Sequence, residues 1–180
     1  MVYDAIQASL EAHKDQFRKL ENGAYVAHPL EVAIILAQNG ADEDVISAGI
    51  LHDTIEDTSM TSEFLLSKFG ERIAAIVVGC SEPSMDLGWR ERKDWMIHHL
   101  HNTATQDMLW VICADKLSNM RSIARNYRSH GDSVWQGFHA PYTWQMWYYT
   151  AMLEGLRPLA HTCMFQELEA LILEVFHKKT

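Results

Sequence analysis

Residues 109–127, LWVICADKLSNMRSIARNY, decide the fold class. Leu109, Ile112, Cys113, Leu117, Met120, Ile123, Ala124 and Tyr127 trace one face of a long helix through this stretch. The same period continues outward. Tyr3, Ile6, Leu10, His13 and Phe17 form a stripe at the start of the chain. Leu30, Ala33, Ile34 and Ala37 form another, with Pro29 in its first turn and Asn39-Gly40 as its stop. A third helix is expected from about Asp42 to Glu56, with acidic residues in its first turn to suit the helix dipole. Thr61 or Ser62 caps a short fourth that ends at Phe69-Gly70, and a fifth starts near Ile73. Ser81 to Gly88 reads as a loop, Trp89 to His101 as a polar helix and Ser129 to Pro141 as irregular. Two last helices fall at about Tyr142 to Leu156 and Phe165 to His177. Strand-like alternation is nowhere sustained. The expectation is an all-α, single-domain helical bundle over residues 1–180.

Composition narrows the function classes. A chain of 180 residues suits one domain with a substantial core. Asp and Glu number 24 against 15 Lys and Arg, so the formal net charge is −9. That balance excludes a general nucleic-acid binder, which needs surplus cations to neutralise phosphates. It leaves room for a locally basic pocket. No apolar run approaches the ~20 residues of a bilayer span. Asp4, Glu11 and Asp15 interrupt any secretory signal. Cys80, Cys113 and Cys163 are odd in number and lie in apolar contexts, so reduced core thiols and a cytoplasmic protein are expected. No heptad pattern argues for a coiled-coil dimer, and the oligomeric state stays open.

One residue breaks the pattern of the deciding helix. Asp115 lies among apolar neighbours, where an unpaired carboxylate is expensive to bury. The stretch Leu51-His52-Asp53-Thr54-Ile55-Glu56-Asp57-Thr58 crowds one histidine and three carboxylates together. On a continuous helix His52 lies above Glu56 and Asp53 above Asp57. His52 and Asp53 point about 100° apart and can meet one cation between them. Imidazole with carboxylate suits Mn, Fe or Zn rather than an all-oxygen calcium site. His28, before Pro29 at a helix start, and Asp115 are the further ligand candidates, with Asn119 on the same face as Asp115. The same residues also read as a solvated helix end, a hydrogen-bonded structural histidine and a carboxylate paired with Arg121 or Lys116. Spacing does not choose among these readings. His98, His99 and His101 have no carboxylate at ligand spacing and are flanked by Arg90, Arg92 and Lys93, so they read as solvated surface.

Several ordered motifs make the choice. His28, then His52-Asp53, then Asp115 resembles the pattern of the HD-domain metal-dependent phosphohydrolases. The match extends to the hydrolase domain of the RelA/SpoT family and its stand-alone small alarmone hydrolases. Phe17-Arg18-Lys19 with Ala24-Tyr25-Val26-Ala27-His28-Pro29-Leu30-Glu31-Val32-Ala33 is similar to that family's opening motif. Leu51 to Thr58, Phe69-Gly70, and Ala114 to Arg121 are similar to its later ones. Together they cover about residues 10–125.

The resemblance implies an all-helical HD-type bundle and one Mn²⁺ held by His28, His52, Asp53 and Asp115. It implies hydrolysis of the 3′-pyrophosphate of guanosine tetra- or pentaphosphate, a stringent-response alarmone. Glu56 and Asp57 match the pair that handles the water and the leaving group. Arg18 and Lys19 match a basic pair near the phosphates, and Asn119 a residue near the ribose. Ala24 replaces the family's usual proline, and the interval from Lys19 to His28 is slightly short. The aromatic stretch Trp135 to Tyr149 has no secure counterpart; Tyr148, Tyr149, Trp147 or Tyr142 either stacks on a purine or packs the core. Base and phosphate selectivity are therefore open. The alternatives are an HD-type phosphohydrolase for another nucleotide (an adenosine alarmone, a nucleoside monophosphate or a phosphodiester) and a catalytically idle nucleotide-binding HD domain.

Overall fold

The computed structural model describes residues 1–18, 23–83 and 86–176. Their regular structure is helical: α1 (Val2–Ala12), α2 (Ala27–Gln38), α3 (Glu43–Leu51), α4 (Thr54–Asp57), α5 (Ser62–Phe69), α6 (Glu71–Cys80), α7 (Trp89–Asn102), α8 (Gln106–His130), α9 (Tyr142–Gly155) and α10 (Cys163–Phe176). Short 3₁₀ stretches occupy Gly131–Gly137 and Arg157–Leu159. Among the described residues no strand forms; an isolated antiparallel bridge pairs Phe17 with Ala24. The all-α expectation holds.

The chain divides into two compact units. The first holds Met1–Ser81 and Thr105–Asp115, the second Glu82–Ala104 and Lys116–Thr180. In the first, α3 is central and packs against α1, α2 and α6. Burial on all sides explains why Val45, Ser47, Ala48, Gly49, Ile50 and Leu51 are all buried instead of forming a stripe. Asp42 caps this helix, its side chain accepting from the N–H groups of Asp44 at 3.1 Å and Val45 at 3.0 Å. Arg72 then joins Asp42 at 2.8 Å and Asp107 at 2.9 Å, tying α6 to the starts of α3 and α8. Gly49 sets the approach of α2 to α3. A Cβ built there meets Leu36 Cδ1 at 2.4 Å and Val32 Cγ1 at 3.3 Å. In the second unit α9 packs on α7 and α10. Its core includes Leu117, Met120, Met152, Leu156, Phe165 and Ile172.

Three sequence expectations change. Of the first stripe only His13 is buried: Tyr3 is 70% exposed and Phe17 67%, while Ala5, Ala8 and Ser9, off the stripe, are buried. Small side chains let α1 lie close to α3, and the helix stops before Phe17, where the backbone of residues 16–18 pairs with residues 23–25. The third helix does not run through to Glu56. It ends at Leu51, His52 and Asp53 form a turn, and α4 follows. Thr54 Oγ1 donates to the Leu51 carbonyl at 2.7 Å, and Asp53 sits at φ −90°, ψ −5°. None of the three thiols forms a disulfide; Cys113 is buried, Cys80 half-buried and Cys163 exposed at the first position of α10, so Cys163 is not a core thiol. Burial pushes the Cys113 thiol up to about 12. No described helix is long and apolar enough to cross a membrane.

Candidate active site

Four of the predicted side chains meet inside the first unit. His28 stands in the first turn of α2, its N–H bonded to the Tyr25 carbonyl at 2.9 Å. His52 and Asp53 occupy the turn between α3 and α4, and Asp115 comes from α8. Ligand-capable atoms of His28, His52 and Asp53 all lie within 4.8 Å of one another. His28 Nε2 is 3.1 Å from Asp115 Oδ1 and 3.5 Å from Asp53 Oδ2. His52 Nε2 is 3.0 Å from Asp53 Oδ1 and 3.7 Å from Asp115 Oδ1. The imidazoles are almost wholly buried, while Asp53 keeps 19% and Asp115 12% of its side-chain surface. One side of the cluster is thus reachable from outside.

These residues fit a divalent cation. His52 Nδ1 lies 2.8 Å from the Gly49 carbonyl, which only accepts, so in the neutral ring the proton sits on Nδ1. Nε2 then presents its lone pair to the carboxylates, and it is buried with no aligned hydrogen-bond partner. Two imidazole nitrogens and two carboxylates form a donor set for a transition metal, and the Gly49 carbonyl orients one ring from behind. The electrostatics favour positive charge at this point. Burial alone lowers the pKa of His52, but Asp53 and Asp115 outweigh it and hold the ring well above its ordinary value. Burial likewise pushes against Asp53, yet His52 and His28 hold its carboxyl below the usual range. A proton or a dication satisfies the same field.

A second set of side chains backs this cluster. The Tyr25 hydroxyl lies 2.6 Å from Asp53 Oδ2 and 2.9 Å from Asp57 Oδ2. Burial first, then the two carboxylates, drives its pKa far above that of a free phenol, so the hydroxyl stays protonated. Burial and the charge of Asp53 push the Asp57 carboxyl up, against the Tyr25 hydrogen bond. Asp57 is therefore suited to holding and giving up a proton. Glu56 is half-buried beside it on α4.

Sequence reasoning did not single out Tyr25, Gln16 or the role of His13. A histidine inside an apolar stripe was the available signal for His13, which is buried. Arg18 follows the bridge residue Phe17, its N–H bonded to the Gly23 carbonyl at 2.8 Å. Lys19 lies outside the described residues. Asn119 and Tyr148 belong to the second unit. Tyr148 is buried there, edge-on to Trp89 at 6.0 Å, with Lys93 5.1 Å and Lys116 5.7 Å from its ring centre.

Helical architecture with clustered His, His-Asp and Asp defines a class. A family model described as HD domain matches residues 5–141, and the chain belongs to that family. Within it, the zebrafish (Danio rerio) guanosine-3′,5′-bis(diphosphate) 3′-pyrophosphohydrolase MESH1 is 38% identical over 128 residues, 69% of this chain and 70% of the relative. The Haemophilus influenzae guanosine-3′,5′-bis(diphosphate) 3′-pyrophosphohydrolase is 36% identical over 118 residues, 63% of this chain but 17% of that longer protein. A crystal structure from Listeria monocytogenes superposes with a TM-score of 0.78 at 35% identity, covering 84% of this chain and 99% of its own. A metazoan ortholog of SpoT, described as hydrolysing ppGpp, shares the fold with a TM-score of 0.77 at 24% identity, over 99% of this chain and 94% of its own.

Proposed function

We propose that this protein is a metal-dependent pyrophosphohydrolase that removes the 3′-pyrophosphate of guanosine tetra- or pentaphosphate, giving GDP or GTP and pyrophosphate. The observation that carries the reading is the buried Nε2 of His52, 3.0 Å from Asp53 Oδ1 and 3.7 Å from Asp115 Oδ1 without an aligned hydrogen bond to either, with His28 beside them. The activity named for the zebrafish and Haemophilus relatives supports the substrate class. His28, His52, Asp53 and Asp115 hold the cation, which we take to be Mn²⁺. When bound, it supplies Lewis acidity that makes water nucleophilic at neutral pH and offsets charge on the phosphate.

The chain's own groups do the rest. Water oxygen bonds to the phosphorus nearest the ribose, and the bond from that phosphorus to O3′ breaks. Glu56 and Asp57 take up the water's proton and return one to O3′. The raised proton affinity of Asp57 suits that exchange. Arg18 and Lys19 are assigned to the phosphates and Asn119 to the ribose, while the burial of Tyr148 beside Trp89 and Tyr149 favours a packing role over stacking on the purine. We assign residues 1–180 to one hydrolase domain in a cytoplasmic protein.

Product analysis tests the reading. Purified protein with Mn²⁺ is offered guanosine and adenosine 3′,5′-bis(diphosphate), with nucleoside mono- and triphosphates as controls. Pyrophosphate and GDP from the guanosine substrate are expected. Faster release from the adenosine compound, or phosphate from the simple nucleotides alone, transfers the protein to another HD-type substrate. No turnover with metal bound leaves the idle nucleotide-binding domain.

A further inference from the structure

Tyr25 joins two carboxylates to which the proposed function gives different tasks. Its single hydroxyl lies 2.6 Å from Oδ2 of Asp53, a metal-ligand candidate, and 2.9 Å from Oδ2 of Asp57, an acid–base candidate. The 2.6 Å contact to Asp53 has the length of a charge-assisted O–H···O⁻ bond and the 2.9 Å contact to Asp57 that of an ordinary hydrogen bond, and the one hydroxyl proton serves one carboxylate at a time. The hydroxyl occupies Oδ2 of Asp53, while Oδ1 faces His52 Nε2 at 3.0 Å. The plane of that carboxylate is thereby set from both sides. Asp53 and Asp57 repel each other across one helical turn, and the phenol holds them at a common point.

The phenol is itself braced. Its ring packs on the buried His13 ring at 4.8 Å, tilted 30°, and edge-on to His28 at 6.1 Å. His13 Nδ1 pairs with Gln16 Oε1 at 2.8 Å. Gln16 Nε2 donates to the Asp57 carbonyl at 2.7 Å, and the Tyr25 N–H donates to the Gln16 carbonyl at 2.9 Å. Gln16 therefore grips both Tyr25 and the end of α4. The circuit His13, Gln16, Asp57, Tyr25 closes on itself, although its members come from three separate stretches of chain.

We infer that Tyr25 is a positioning residue, braced by His13 and Gln16, that locks the metal-binding carboxylate of Asp53 and the proton-handling carboxylate of Asp57 into one geometry. It rests on the reading of the site given above. Supporting groups behind metal ligands are typically worth about 10–100-fold in metal affinity or activity.

The test is Tyr25→Phe, which keeps the ring contacts and deletes the bridge. Titration with Mn²⁺ alone is expected to show a Kd raised about 10-fold. At saturating Mn²⁺, kcat is expected to fall at least ~10-fold with KM within about 3-fold of wild type, since the hydroxyl acts on carboxylates and not on the nucleotide. The Tyr25→Phe/Asp57→Asn double variant is expected to lose much less than the product of the two single losses. Wild-type metal affinity together with wild-type kcat in Tyr25→Phe overturns the inference, as do fully multiplicative losses. Should Tyr25→Phe not fold, Gln16→Ala keeps the hydroxyl and removes the grip on α4. A reduced kcat at saturating metal then supports the brace, and unchanged kcat and Kd overturn it. If the wild-type protein turns over no nucleotide, the proposed function fails, and the Mn²⁺ titrations alone still decide the role of Tyr25.

Discussion

At the scale of single residues, the site separates groups that hold charge from groups that move protons. His52→Ala or Asp53→Ala is expected to abolish stoichiometric metal, read by elemental analysis after purification without chelators, with helical circular dichroism retained. A metal-replete, fully active Asp53→Ala protein overturns the assignment. Glu56→Gln and Asp57→Asn are expected to keep the metal and lose about 10²–10⁴-fold in kcat, the usual worth of a positioned acid or base. Equal loss of metal in those variants would place them among the ligands instead. The ligand candidates were legible as residue types in ordered motifs. The Tyr25 bridge was not, because a hydroxyl reaching Asp53 and Asp57 across 28 and 32 residues leaves no trace in local spacing.

Elements position these residues through close packing and caps. Gly49 lets α3 touch α2, and with it brings His52 toward His28. Gly49→Ala forces its Cβ against the buried Leu36 side chain, 2.4 Å away as built. Overpacking of this kind costs about 1–3 kcal/mol. Urea unfolding is expected to show that loss, and Mn²⁺ titration a weaker site. A fully stable variant with wild-type metal affinity shows that α2 yields without moving His28.

The cap of α3 has its own pH signature. The Val45 N–H and the Arg72 guanidinium hold the Asp42 carboxyl below its ordinary value of 3.8. Its stabilisation is fully present above that value and is lost as pH falls through the lower folded value. Asp42→Ala is expected to cost about 1 kcal/mol near neutrality and to flatten the acid limb of the stability profile. An unchanged acid limb removes Asp42 from the account. The helix positions were readable from period and caps. The break at His52-Asp53 was not, because the run from Asp42 to Glu56 satisfies helix rules throughout and only tertiary contacts interrupt it.

For the whole molecule, the candidate metal ligands belong to one unit. His28, His52, Asp53 and Asp115 all fall within Met1–Ser81 and Thr105–Asp115. Metal at 100 times its Kd stabilises the state that binds it by about 2.7 kcal/mol. Chelation is therefore expected to lower the melting temperature and abolish turnover, with Mn²⁺ restoring both. Hydrogen exchange on chelation is expected to quicken in α2, α3 and α4 more than in α10, which supplies no ligand. Uniform quickening along the chain would mean that the cation is not held by this cluster alone.

What the sequence determined by itself was periodic and local: the helices, a cap at Thr61 or Ser62, the stop at Phe69-Gly70, and the residue types of the site. These follow from backbone geometry and nearest neighbours along the chain. Tertiary structure decided what depends on distance through space. It chose the Ala5, Ala8 and Ser9 face of α1 over the larger apolar stripe, because small side chains permit close approach to α3. It interrupted the helix at His52-Asp53 and turned two carboxylates toward one tyrosine. It also buried His52 Nε2 against Asp53 and Asp115, and no count along the chain reveals that, because it depends on which side chains converge in space.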